Sequence, residues 1–268
     1  MWKTWLQRRA LAKQIFRCEW WIYSQQPKLP DGTAIMDRMI AGNPHNRRGF
    51  APIGAREGLI FSDVRLHVRL ALRAKNPHLF RPDLLADHPA GVTRESLKHL
   101  SEQTSAVIVR YVGKGALTDH RHIPFMAHLA DAYASLMESP VIFDVVTECM
   151  STQAEFFAAL DARPQVDQPE QLVRVGFFPE TAGGRVRTFG LVKLGLPEWE
   201  TAALPLDQEV IATAAVEAAM EQVVREQLRA VAPNPEQLEV EVHGVRVQLQ
   251  WERTRSERLQ VRIFQISG

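Results

Sequence analysis

Two hydrophobic periodicities alternate along this chain, and together they restrict it to folds that combine strands with helices. Residues 64–72 alternate apolar and mostly basic side chains, which is typical of a half-buried strand. Apolar, strand-like runs at 105–112 and 140–146 flank a helical pattern at about 124–138. This strand–helix–strand succession predicts a βαβ-like unit in an α+β fold, with a central mixed β-sheet flanked by helices.

The second half of the chain predicts further strands and one long helix. Residues 172–178 and 185–193 form a predicted hairpin, and 207–231 form a helix that Pro233 ends. A C-terminal hairpin pairs 238–251 with 258–266, and its apolar parity switches at His243-Gly244, which predicts a bulge or a turn there.

Two polar residues are predicted to begin helices in the middle of the chain. Thr93 is a suitable N-cap for a helix at 94–103, and Ser151 for a helix that continues to about 160.

The N-terminal quarter differs in composition from the rest. Residues 2–23 contain no proline or glycine and predict a basic helix, whereas 25–55 collect prolines and glycines and predict an irregular arm. We therefore expect a basic helix-and-arm segment at 1–56 and a single α+β domain at 57–268, with a possible sub-boundary near 161–170.

Charge is distributed unevenly along the chain. Residues 1–75 hold 14 Lys/Arg and 5 Asp/Glu, and residues 76–268 hold 18 and 26, although the total formal charge is only +1. Such asymmetry indicates that the basic part meets an anionic partner or the acidic part of its own chain. The basic side of the strand at 64–72 either extends this basic surface or is neutralised internally.

Several classes of protein find no support in the sequence. It lacks the apolar core of a signal peptide and any apolar run of the roughly 18–20 residues that span a bilayer. Cys18 and Cys149 are too few for a disulfide framework, so we expect a reducing, cytoplasmic setting. No phosphate-binding loop or nucleophile elbow occurs, and we predict no cofactor.

One stretch concentrates possible metal ligands. His120 and His122 precede the predicted helix at 124–138, while His128 and Asp131 stand three residues apart on it. Their spacing matches no established metal motif, and Arg121 places a positive charge between the two loop histidines. We therefore predict no metal, and keep these four residues as the candidates for an alternative, metal-dependent or hydrolase-like enzyme centred on 119–131.

The basic N-terminal segment is the predicted partner-binding site. Tryptophan and arginine are the residues most enriched at the energetic centres of protein interfaces. The predicted binding residues are Trp2, Trp5, Arg8, Arg9, Lys13, Arg17, Trp20 and Trp21. The same mixture also suits nucleic acid or an anionic membrane surface, and the tryptophans are equally suited to packing the helix onto the α+β body.

Residues 100–205 resemble a family of uncharacterised bacterial α+β domains. In that family a Thr-x-Gly strand runs into a Gly-Leu-Pro-Glu turn, as Thr188-Phe-Gly190 and Gly195-Leu-Pro-Glu198 do here. The order of strands and helices in 105–157 is also similar. The resemblance implies a fold and brings no catalytic residue.

The favoured function is that of a non-enzymatic accessory or interaction protein. Its basic, Trp-rich N-terminal segment would hold a protein partner in an assembly. The enzyme centred on 119–131 is the first alternative, and a nucleic-acid-binding protein is the second.

Overall fold

The computed structural model describes residues 15–42, 65–81, 90–114, 122–162, 173–228, 237–252 and 259–266. They fall into two compact units. The first comprises Arg17–Gly113 and His120–Asp167, and the second is built on Gln168–Gly268. The α+β class and the mixed sheet are both confirmed, with strands divided between two sheets.

The first unit contains strands that form a five-stranded sheet in the order β2-β3-β1-β4-β5. Its strands are β1 (Ile15–Ser24), β2 (Leu66–Leu72), β3 (Ser105–Lys114), β4 (Val141–Asp144) and β5 (Cys149–Ser151), and its helices are α1 (Gly32–Gly42), α2 (Arg94–Glu102), α3 (His122–Leu136) and α4 (Gln153–Ala162). β2 is antiparallel to β3, and β1 to β4. Thr104 N–H donates to Ser24 O at 3.1 Å, so β3 begins beside the end of β1 and runs antiparallel to it. Because β3 and β4 are both antiparallel to β1, they run parallel to each other, with β1 between them. The predicted strand–helix–strand unit is therefore formed by β3, α3 and β4.

An apolar cluster joins residues of all five strands to residues outside the sheet. Leu79, Phe80 and Leu100 from the connecting segment and α2 pack with the sheet residues Ala71 and Ala106 in this cluster. Thr93 caps α2 as predicted, because its hydroxyl accepts from Ser96 N–H while the Ser96 hydroxyl accepts from Thr93 N–H. On the other side, α3 is almost wholly buried and contacts α1 and α4.

The second unit carries a six-stranded mixed sheet in the order β6-β7-β8-β11-β10-β9. Its strands are β6 (Arg174–Glu180), β7 (Gly183–Phe189), β8 (Trp199–Thr201), β9 (Gln237–Val242), β10 (Val245–Glu252) and β11 (Leu259–Ile266). β8 and β11 are parallel, and the other neighbouring strands of this sheet are antiparallel. The long helix α5 (Glu209–Leu228) contacts β6, β7, β9 and β10. The parity switch in the C-terminal hairpin is a two-residue turn, with φ values of 51° at His243 and 75° at Gly244.

The N-terminal prediction is wrong where the structure describes it. Residues 15–23, predicted as the end of a basic helix, form the middle strand of the first sheet. Residues 32–42, predicted as irregular arm, form α1. Asp31 caps the start of this helix, because its Oδ1 accepts a hydrogen bond from Thr33 N–H at 2.8 Å. The rest of the predicted helix and arm, 1–14 and 43–55, lies outside the described residues. Residues 17–42 therefore belong to the body of the first unit.

A second correction concerns the start of α4. The sequence predicts Ser151 as the N-cap, but Ser151 lies at the end of β5. Thr152 takes that place instead, because its hydroxyl accepts from Glu155 N–H at 3.2 Å and the Glu155 carboxylate accepts from Thr152 N–H at 2.8 Å. Ser151 and Thr152 both carry hydroxyl groups, so the sequence alone does not show which of them is the N-cap.

Candidate functional site

Three exposed basic side chains, two arginines and a histidine, lie together on one face of β2 and β3. His67 stands directly opposite Arg110 across the two strands, and Arg69 is the next residue on that face of β2. All three are exposed. Ala71 and Ala106 share this face further along and belong to the apolar cluster under α2. The buried cluster residue Ile108 lies directly opposite Arg69, and the exposed Arg110 follows it on the same face of β3. We call His67, Arg69 and Arg110 the basic face.

The basic face is unneutralised within the described part of the chain. None of its three side chains makes a hydrogen bond or an ion pair to another described residue. The two arginines of the face, Arg69 and Arg110, lie on neighbouring strands as a diagonal pair of like charges, which does not favour the sheet. The arrangement becomes favourable when an anion lies across the strands.

Two other arginines of the same unit, Arg73 and Arg17, make hydrogen bonds within the fold. Arg73 donates to Gln103 O at 3.0 Å and to Ser101 O, and its guanidinium lies 5.1 Å from the Phe80 ring centroid. Arg17 donates through Nη2 to Glu19 Oε2 at 2.6 Å. These two arginines stabilise the fold, which separates them from the solvent-facing cations of the basic face.

Arginines of the second sheet are also paired. Arg185 Nε lies 2.8 Å from Glu180 Oε1, and Arg187 Nε lies 2.7 Å from Glu200 Oε2. The Arg187 contact is close, but its N–H direction does not meet the hydrogen-bond geometry, so it is an ion pair by distance alone. The basic face therefore differs from the arginine cluster on β6–β8, where carboxylates lie beside the guanidinium groups.

The predicted partner-binding residues divide into two groups. Trp2, Trp5, Arg8, Arg9 and Lys13 lie outside the described residues. Arg17, Trp20 and Trp21 lie on β1 and take part in the fold. Trp20 is buried with its ring 6.5 Å from that of Phe156, and Trp21 Nε1 donates to Glu19 Oε1 at 2.7 Å. These three residues therefore do not form the exposed helix face that the sequence predicted.

The predicted metal candidates do not form a shared site where they are described. His120 lies outside the described residues, and His122 is buried with its ring stacked on Tyr111 at 5.2 Å. Across the described ranges, no three His, Cys, Asp or Glu side chains are placed to hold a metal ion.

Asp131 instead joins three helices. Its Oδ2 lies 3.0 Å from Arg38 Nη2 of α1, and its Oδ1 accepts from Gln153 Nε2 of α4 at 3.2 Å. Burial raises the pKa of Asp131, and the Arg38 guanidinium and the Gln153 hydrogen bond oppose that rise. This candidate ligand is a structural carboxylate.

Sequence reasoning found two members of the basic face and missed the third. His67 and Arg69 are visible because they interrupt an apolar strand at every second position. Arg110 stands in a run that is otherwise apolar from Ala106 to Val112, and such a run is typical of a buried strand. The pairing of β2 with β3 brings Arg110 to the other two.

Comparisons with known proteins give no family assignment. No family model, curated protein or solved structure matches this chain. The resemblance of residues 100–205 to a bacterial α+β family therefore stays a prediction. Among the helices that the structure describes, none combines the length and apolarity needed to cross a bilayer.

Proposed function

We propose that this protein is a non-enzymatic interaction protein that binds an acidic protein partner through the basic face. The observation that carries the proposal is the placement of His67, Arg69 and Arg110 on one exposed surface without a carboxylate partner among the described residues. The N-terminal segment 1–56, with 10 Lys/Arg and 3 Asp/Glu, adds to the attraction for an anionic partner.

The spacing of the cations favours an extended acidic segment. Side chains two residues apart on a strand are about 6.8 Å apart, and those opposite each other on antiparallel strands are about 5 Å apart. Carboxylates at alternate positions of an extended peptide repeat at the same spacing along the strand direction. His67 and Arg69 would each meet one carboxylate, and Arg110 would reach either from the neighbouring strand.

The boundary for an N-terminal truncation follows from the fold. β1 is the middle strand of the first sheet, so a deletion through residue 55 removes a core strand together with α1. A deletion of residues 1–14 ends before β1 begins. It tests the contribution of Trp2, Trp5, Arg8, Arg9 and Lys13 to partner binding while keeping every described strand.

Fluorescence anisotropy of a labelled peptide with alternating Glu and Ser tests the proposal. We expect Arg69→Glu/Arg110→Glu to weaken binding about tenfold or more, because two attractive contacts become repulsive. The control is Lys28→Glu/Arg225→Glu, which makes the same charge change at exposed positions elsewhere. If both double variants lost the same affinity for the peptide, the loss would follow from net charge alone, and the basic face would be refuted as a binding site.

Two further probes separate the alternative partners. A labelled DNA duplex and vesicles containing anionic lipid are titrated against the same proteins at low and moderate salt. The partner would be nucleic acid instead of an acidic protein if the duplex bound more tightly than the peptide, with a steep salt dependence that Arg69→Glu/Arg110→Glu removes. Tighter binding to vesicles would likewise replace it by a membrane surface.

A further inference from the structure

Each of the two sheets ends in an exposed strand with an alternating pattern. β2 is the last strand of the first sheet and β9 the last strand of the second, and no described strand pairs with the outer side of either. Unpaired edges present rows of backbone N–H and C=O groups to which another strand can add.

The side chains of the two edges are complementary. Along β2, half-buried Leu66, Val68 and Leu70 alternate with exposed His67 and Arg69. Along β9, half-buried Leu238, Val240 and Val242 alternate with exposed Glu239 and Glu241. Neither acidic side chain makes an ion pair within the part of the chain that the structure describes. One edge is apolar and basic, and the other is apolar and acidic.

On β2, the even-numbered residues direct their backbone groups to the open side. Arg65 O accepts from Val112 N–H, and Arg73 N–H donates to Thr104 O, so odd-numbered residues bond towards β3. In an antiparallel pair this alternation continues along the strand. The N–H and C=O of Leu66, Val68 and Leu70 therefore face outward.

On β9, the odd-numbered residues direct their backbone groups to the open side. The two-residue turn at His243 and Gly244 joins the opposed pair Val242 and Val245, and a turn of this kind closes on a pair that exchanges both hydrogen bonds. Even-numbered residues of β9 therefore bond towards β10. The N–H and C=O of Glu239 and Glu241 face outward.

These two backbone phases are compatible with the side-chain charges only in a parallel pair. An antiparallel pair opposes two outward-facing residues, which would set Val68 against a glutamate and Arg69 against a valine. A parallel pair opposes an outward-facing residue of one strand to an inward-facing residue of the other. Val68 then lies opposite Val240, with His67 opposite Glu239 and Arg69 opposite Glu241.

We propose that β2 of one copy of this chain adds in parallel to β9 of a second copy. Pairing of two β2 strands would oppose cations, and pairing of two β9 strands would oppose carboxylates, so the charges favour the mixed pair. Each copy offers one edge of each kind, and the contact is therefore heterologous. Assembly continues head to tail into a ring or a filament.

Charge reversal at each edge tests the pairing. One variant is His67→Glu/Arg69→Glu and the other is Glu239→Lys/Glu241→Lys, all at exposed positions. Each variant alone brings like charges together at the junction. Its self-association should be weaker than that of the wild-type chain by a factor of about ten or more. An equimolar mixture restores opposite charges at every junction, and should recover the wild-type association measured by sedimentation velocity over a concentration series.

Several results would overturn the proposal. A wild-type chain that is monomeric at all concentrations would indicate that the edge charges only prevent aggregation. A mixture that stays as dissociated as its components, while circular dichroism shows both variants folded, would also refute it.

A further variant separates this assembly from acidic-partner binding. Arg110→Glu lies one strand in from the edge, so it should weaken binding of the acidic peptide and leave self-association unchanged. Loss of both properties in Arg110→Glu would contradict the separate roles of the face and the edge.

Discussion

Replacing Arg38 by alanine should destabilise the first unit more than any change at an exposed ion pair. Asp131 is 3% exposed as a side chain and Arg38 is 23% exposed, and their charged atoms lie 3.0 Å apart. Arg38 also lies over the Phe157 ring at 5.4 Å. Its removal leaves a buried carboxylate with the Gln153 hydrogen bond as its remaining described polar contact.

The expected loss for Arg38→Ala is about 3 kcal/mol of unfolding free energy at pH 7, which is typical when one partner of a buried ion pair is removed. Asp131→Asn should cost less, because Arg38 reaches solvent and keeps its contact with Phe157. The double variant should be more stable than Arg38→Ala alone, since it removes the uncompensated charge.

This loss should depend on pH in a defined direction. Burial raises the pKa of Asp131 in the native state, and removing Arg38 raises it further. The native state then holds the proton more tightly than the unfolded chain, so the contribution of Asp131 is present below its unfolded pKa and is lost as the pH rises through the native pKa. The penalty of Arg38→Ala should therefore be smaller at pH 5 than at pH 7.

Urea unfolding combined with hydrogen exchange of α3 measures this penalty. Exchange of α3 peptides reports the first unit by itself, which matters because a two-unit chain need not unfold in one step. Arg225→Ala, at an exposed pair with Glu221, is the control and should change stability by at most about 0.5 kcal/mol. A penalty for Arg38→Ala that is the same at both pH values, or that Asp131→Asn does not relieve, would refute the reasoning.

Two further predictions concern stability and are checked by the same unfolding measurement. Gly183→Ala should cost about 2 kcal/mol or more of unfolding free energy, because φ is 140° and the added Cβ would lie 2.3 Å from Leu204 O. Gly244→Ala, at a φ of 75° in open space, should cost about 1 kcal/mol. Equal losses in the two variants would contradict the clash at Gly183. Thr152→Ala should cost about 1 kcal/mol and Ser151→Ala much less, and the reverse order would contradict Thr152 as the cap of α4.

Local patterns predicted the elements whose environment differs between two sides. β2 has a protected and an exposed side, so its period of two appears in the sequence. α2 carries its own start signal in Thr93 and Ser96. Such elements can be recognised because each residue's polarity matches its own position in the fold.

The middle strand β1 could not be recognised in that way. Its burial on both faces leaves no alternation, and the good helix formers in residues 2–23, without proline or glycine, predict a helix instead. A signal for a strand was present in Phe16, Trp20, Trp21, Ile22 and Tyr23, since aromatic and β-branched residues favour strands. The strand accommodates Arg17 because Glu19, only two residues away on the same strand, neutralises it.

The basic face was only partly predictable for a different reason. His67 and Arg69 are neighbours in sequence, but Arg110 joins them through the register of β2 with β3, which depends on tertiary structure. The complementarity of β2 and β9 was likewise hidden, since the sequence shows two alternating strands without showing that both are edges.

A photo-crosslinking measurement tests the basic face most directly. A photoreactive amino acid is placed at position 112, next to Arg110 on the same face of β3, or at the exposed control position 28, and the alternating Glu and Ser peptide is irradiated with each protein. The peptide should attach through position 112, and salt, or Arg69→Glu, should reduce the yield. Equal attachment at the two positions, or attachment that ignores Arg69→Glu, would contradict the basic face as the site that binds an acidic partner.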